Sequence, residues 1–333
     1  MIRRILSLCK RIARRLLRII TLSDLLYKTE WYKSLFVDVD HKTYPDNYWY
    51  REHDERNFDV VNLGSSGGKW AFDYTDTGLK AMNWAQQPQT LLEDFNLLRH
   101  YHSILKKDSY VLITIMPFTG VNKETGIYDA IKYLKLETQG EAIESVMYEK
   151  AKRYAEFPIL FGRPALSALA RHILRKEIHV DKTKKWDRSD NPMTEDELRA
   201  DAKRWMTNWQ TQFSIPGFEE PLTEQNQKGR EIRIRLMRDL VDFCIERNYT
   251  PVWVIPPTTK YLAQEFTPKF SQIYIYDFLK QVERDVRLLD YSKEESLMDK
   301  DLYFNAFFMN RRGAKEFTER VLSDLNLKKI SQN

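Results

Sequence analysis

A chain of 333 residues with 42% hydrophobic and 13% aromatic residues can bury a large core, which argues against a disordered or fibrous protein. Its two cysteines, Cys9 and Cys244, lie far apart and Cys9 sits in an arm expected outside the core, so no disulfide framework and a reducing compartment are expected; no zinc or haem cysteine spacing occurs, and neither a metal nor another cofactor is expected. The net charge of +5 is concentrated: residues 1–20 hold seven basic residues and no acid, and the remaining 46 basic against 48 acidic residues argue against a nucleic-acid surface.

In that basic arm Ile2, Ile5, Leu6, Cys9, Ile12, Ala13, Leu16, Leu17 and Ile20 recur at three- and four-residue intervals, and arginines fill the other face. The spacing predicts a basic amphipathic helix over residues 1–22, with about 30 Å of apolar stripe. It has no apolar run near the roughly 20 residues that span a bilayer, and no compact apolar centre with a small-residue cleavage site. Such a helix lies either in the interface of an anionic membrane or against its own domain or a partner. The expected location is cytoplasmic, peripheral at the inner membrane face.

Residues 23–56 are rich in Tyr, Trp, Asp and His without a clear period and read as an irregular lead-in. "FDVVNLG" (58–64) is then a short apolar run ended by glycine, the form of a buried strand entering a turn. A second strand is expected at "LKAMNWA" (79–85), and a proline-initiated helix over 88–105. "SYVLITIMPF" (109–118) is the clearest strand; a helix through Leu236–Cys244 leads to another at "PVWVIPP" (251–257), and "VRLLDYS" (286–292) is the last. Residues from about 120 to 220 break this rhythm and read as a helical insertion, with Thr194 and Glu197 at capping-box spacing. Alternating strands and helices predict a three-layer α/β/α sandwich around a mainly parallel sheet, spanning about 57–330, with ligands beyond the carboxyl ends of its strands.

At the first such end stands "NLGSSGGKW", which reads as a nucleotide loop, a nucleophile elbow or a tight turn. Only three residues separate Gly64 from Gly68-Lys69, and Trp70 follows where a phosphate loop needs Ser or Thr, so the first reading fails. The second makes Ser66 a nucleophile, with N–H groups around Gly67 open to a ligand; a hydroxyl also needs a base. Lys69 stands at the Ser-x-x-Lys spacing and would serve only if desolvation lowered its pKa. In the third, small residues merely allow a sharp turn.

"NLGSS", "NWAQQPQTLLEDF", "VLITIMPF", "VWVIPP" and the near-terminal "YFNAFFMNRRGAKEFT", in this order, resemble the SGNH (GDSL-like) hydrolase superfamily, and more narrowly its branch in bacterial surface-polysaccharide and teichoic-acid modification. The resemblance covers about 57–119 and 230–325. It implies a flavodoxin-like sheet and the nucleophile position at Ser66. It also implies oxyanion donors from Ser66 and the backbone at Ala85 or Gln86, with Asn122 as a loose match to the family's asparagine. The terminal block departs from the family's Asp-x-x-His: with Asn310 and Gly313-Ala314 setting the register, Asn305 occupies the acid position and Phe308 the base position. Expected from the resemblance is a protein related to O-acyl ester hydrolysis or acyl transfer on bacterial surface glycans, with catalysis impaired or absent. The alternative is a non-catalytic pseudoenzyme that binds a glycan or partner at the membrane surface.

Overall fold

A computed structural model describes residues 2–36, 38–39, 45–46, 55–121, 126–134, 145–177 and 193–327. These residues form two compact units, one combining the described residues up to 46 with 126–177, the other 55–121 with 193–327. Of the stretch expected as one helical insertion, the first part thus groups with the N-terminal residues and the second with the sheet.

The second unit is built on five strands: β1 (Phe58–Leu63), β2 (Ala81–Asn83), β3 (Leu105–Thr114), β4 (Thr250–Ile255) and β5 (Arg287–Asp290). All pair in parallel, in the order β2-β1-β3-β4-β5. The helices that matter to the site are α1 (Ser66–Ala71), α2 (Leu91–Tyr101), α3 (Glu195–Gln212), α4 (Glu224–Glu246) and α5 (Arg311–Asp324). The expected three-layer α/β/α architecture is therefore the one found, with every predicted strand present.

Strand alternation divides the core. Val60, Leu112, Val252 and Val254 turn one way and meet Ala314, Phe317, Val321 and Leu322 of α5. On the other face Val61, Val111 and Ile113 are fully buried, and α2 and α4 pack together there through side chains such as Leu97, Leu98, Met237 and Leu240. A sheet covered on both sides needs near-continuous apolar strands, which is why "VLITIM" carries little polar–apolar alternation.

From β1 the chain steps to β2 on one side and then crosses to β3 on the other. The carboxyl ends of β1 and β3 therefore flank the topological switch point, where open sheets of this order form a crevice.

The first unit is mainly helical, with one short antiparallel pair, Asp38–Val39 with Pro45–Asp46. Its long helix, Ile2–Ile20, is followed by short helices at Ser23–Leu26 and Glu30–Ser34 within the expected lead-in, then by Ser145–Glu156 and Arg163–Ile173. Leu26 is buried with Ala165 and Leu169, which fixes the Ser23–Leu26 turn on the Arg163–Ile173 helix.

Candidate functional site

The glycine turn is shaped by close approach to β3. Gly64 has φ +135°, a backbone angle that favours glycine, and a Cβ there would lie 2.8 Å from that of Thr114. Ser65 caps α1 in an extended conformation and Ser66 opens the helix. A Cβ at Gly67 would collide with Met116 Sδ, and one at Gly68 would meet Thr114 Oγ1 at 2.7 Å. The glycines thus let the first turn of α1 lie on the end of β3; neither Gly67 nor Gly68 lines the neighbouring cavity. Behind them, Asn62 Nδ2 donates to Asn83 Oδ1 at 2.9 Å, while Asn83 Nδ2 donates to the Lys69 and Phe72 carbonyls at 3.1 and 3.2 Å. This asparagine pair, aligned by the β1–β2 register, satisfies carbonyls that the short helix cannot satisfy itself.

Asp94 on α2 holds the turn from the cavity side. Its Oδ1 accepts the Gly64 N–H at 2.7 Å and the Gln89 side-chain amide at 2.5 Å, and the Gln89 N–H donates to Ser65 Oγ at 3.2 Å. Burial pushes the Asp94 carboxyl up to about 7, against the opposing pull of the Gln89 and Gly64 hydrogen bonds. Sequence reasoning missed this residue. An acid in the first turn of a helix reads as a surface partner of the helix dipole, and nothing local shows that the carboxyl points inward.

The crevice between β1 and β3 holds a cavity of about 340 Å³. Its lining includes Ser65, Ser66, Gln89 and Asp94, Thr114 and Phe118 at and beyond the end of β3, Trp205 and Trp209 of α3, and Phe307. The buried guanidinium of Arg233, from α4, adds a positive group to the lining. Thr114 Oγ1 is buried without a hydrogen-bond partner among the described residues. A larger cavity of about 760 Å³ lies beyond β3 and β4 and shares Met116 and Pro117 with the first; none of the site residues expected from the sequence lines it.

The terminal block comes back to this place. The Phe308 ring packs 5.9 Å from that of Trp70, four residues after Ser66, and 5.3 Å from that of Trp205. It is Phe307, however, that lines the cavity, with its ring 5.1 Å from that of Trp209. Asn305 Oδ1 accepts the Phe307 and Phe308 N–H groups at 2.8 and 2.7 Å, so it shapes the turn that presents both rings. Asn310 caps α5 by accepting the Gly313 N–H at 3.0 Å. The link to α3 is Asp201, which sequence reasoning also missed: its Oδ2 accepts the Ala306 N–H at 3.0 Å and the Trp205 indole N–H at 3.1 Å.

The other expected site residues are placed differently. The Ala85 N–H donates to Asn83 Oδ1 at 3.0 Å and the Gln86 N–H to the Gly64 carbonyl at 3.2 Å, so both proposed oxyanion donors are spent on holding the loop. Lys69 is buried with its ammonium 5.1 Å from the Trp70 ring centroid, and it does not line the cavity with Ser66. Asn122 lies outside the described residues, as do His41, His53 and His179. Among the described histidines, His102 approaches the Tyr249 hydroxyl at 3.4 Å and His172 pairs with Glu177 at 2.7 Å; neither they nor His100 line the cavity. No group of three His, Cys, Asp or Glu among the described residues could hold a metal ion.

The arrangement can enclose a small ligand between aromatic rings and hydroxyl, amide and guanidinium groups. Among the described residues it offers Ser66 no imidazole. Compared with known proteins, the chain matches no protein-family model and no curated sequence.

Proposed function

We propose that this chain is an SGNH (GDSL-like) hydrolase-like protein related to O-acyl ester hydrolysis or acyl transfer in bacterial surface-glycan metabolism, with catalysis impaired or absent. The observation that carries this reading is the return of the terminal block to the serine helix: Phe308 packs on Trp70 while Phe307 lines the cavity beside Ser66. In the alignment that the resemblance implies, Phe308 takes the base position, and phenylalanine accepts no proton. A serine hydroxyl without a base is a weak nucleophile, and with the Ala85 and Gln86 N–H groups committed to the loop little beyond binding supports its attack.

The cavity chemistry supports the ligand class. Trp209 and Phe307 suit the C–H faces of a sugar ring or an acyl group, and Ser66, Gln89 and Thr114 suit hydroxyls and ester oxygens. A second reading, a non-catalytic glycan-binding pseudoenzyme, is favoured by Asp94. Its carboxyl is committed to Gly64 and Gln89, so it maintains the turn instead of activating Ser66.

A fluorophosphonate probe, which labels activated serines, tests the loss of catalysis. The expected outcome is equal, background labelling of the wild type and Ser66→Ala. Labelling of the wild type that disappears in Ser66→Ala would establish an active serine and overturn the reading.

A further inference from the structure

The Ile2–Ile20 helix carries its charge and its apolar surface on opposite sides. At 100° per residue Arg11, Arg14, Arg15 and Arg18 fall within about 100° of arc, and Ile12, Leu16, Ile19 and Ile20 within a second arc facing away from the first. Two of these arginines are tied to the rest of the unit. Arg14 Nε and Arg18 Nη2 lie 3.7 and 3.5 Å from Glu156 Oε1, and the Arg18 guanidinium is 5.9 Å from the Tyr27 ring centroid. The Tyr27 hydroxyl donates in turn to the Glu156 carbonyl at 2.5 Å.

The apolar side of the helix is not packed against the unit. Ile12, Leu16, Ile19 and Ile20 are 52, 55, 59 and 76% exposed, the reverse of a helix docked through its apolar stripe. Exposed apolar residues continue in the same unit at Leu22 and Leu25, and on the Arg163–Ile173 helix and the turn after it at Leu166, Ile173 and Leu174. Exposed Arg163, Arg171, Arg175 and Lys176 flank that second group. Single exposed leucines are ordinary on protein surfaces; apolar residues exposed in succession along one side of a basic helix are the pattern of a helix that lies in an interface.

We infer that this unit docks on an anionic lipid surface through the apolar side of the Ile2–Ile20 helix, assisted by the Leu166, Ile173 and Leu174 group. Charge complementarity selects the occupant: seven basic residues and no acid in residues 1–20 match a negatively charged bilayer face. No helix among the described residues is long and apolar enough to cross a membrane, so the contact is one of lying in the headgroup boundary. This inference is independent of the Ser66 reading.

The test uses the full chain and phosphatidylcholine vesicles with and without phosphatidylserine, read by co-sedimentation. Binding is expected with phosphatidylserine, weaker with phosphatidylcholine alone, and reduced by added salt. Leu16→Glu with Ile20→Glu should lower affinity about tenfold or more, because two buried side chains are lost from the lipid contact. Ile173→Glu with Leu174→Glu should lower it by a smaller factor. All four positions are exposed, so circular dichroism should show unchanged folding. Binding that ignores lipid charge, or that survives the Leu16 and Ile20 substitutions, would overturn the inference. So would a dimer in solution dissolved by the same substitutions, which would make a second copy of the chain the occupant.

Discussion

Burial of Asp94 keeps its carboxyl protonated over a pH range in which the unfolded chain has already released the proton. The folded group titrates near 7 and the free side chain near its ordinary value of 3.8. Between these values the native state binds the extra proton, so this group's contribution to stability is complete below the lower value, is lost as pH rises through the window, and changes no further above 7. Asp94→Asn keeps an oxygen able to accept from Gly64 and Gln89 but removes the titration. Urea unfolding of wild type and variant at several pH values between 4 and 7 should show the difference in stability shifting toward the variant as pH rises. A difference that stays constant across the window would mean that Asp94 does not titrate there. The residue was hidden in the sequence because its pKa follows from walls that α2 alone does not supply, whereas the turn it holds was plain from "GSSGG".

At the scale of elements, α3 joins two parts of the site that are far apart in the chain. Its start was legible: Thr194 and Glu197 form the capping box their spacing implied, with the Thr194 N–H donating to Glu197 Oε2 at 2.8 Å. Its work was not. Asp201 accepts the Ala306 N–H and the Trp205 indole, and so ties α3, whose Trp205 and Trp209 line the cavity, to the block that carries Phe307 and Phe308. Asp201→Ala leaves the buried Ala306 N–H without its acceptor and should cost about 1–3 kcal/mol in chemical denaturation. It should also loosen the Phe307–Trp209 contact, visible as altered tryptophan fluorescence in the native state. An unchanged midpoint and emission would show that the aromatic packing alone holds the two together. The loop at Ala85 and Gln86 gives the converse case: its place after β2 was read correctly, but N–H groups in a loop can be assigned to a ligand only after the loop's own acceptors are known.

Across the whole molecule, the site is assembled from the end of β1, the end of β3, a helix about 130 residues after Ser66 and a tail about 240 residues after it. The order β2-β1-β3-β4-β5 brings these together at the switch point. If Phe308 does occupy a base position, Asn305→Asp with Phe308→His should introduce fluorophosphonate labelling that Ser66→Ala abolishes. Asn305→Asp retains an oxygen for the Phe307 and Phe308 N–H groups, so the turn should survive. A folded double variant that stays unlabelled would remove the case for that register.

The sequence by itself determined what short windows of chain can encode. The five strands follow from apolar runs bounded by turn residues, the N-terminal amphipathic helix from its three- and four-residue spacing, and the tight turn from consecutive small residues. The failure of "NLGSSGGKW" as a phosphate loop was likewise a matter of counting. Only the tertiary structure decided that the glycines face Thr114 and Met116, that Phe307 and not Phe308 reaches the cavity, that Asp94 points inward, and that Arg14 and Arg18 of the first helix approach Glu156 while its apolar side stays exposed. Each of these depends on burial and on partners distant in the chain, and a side chain's surroundings exist only once the strands have found their order.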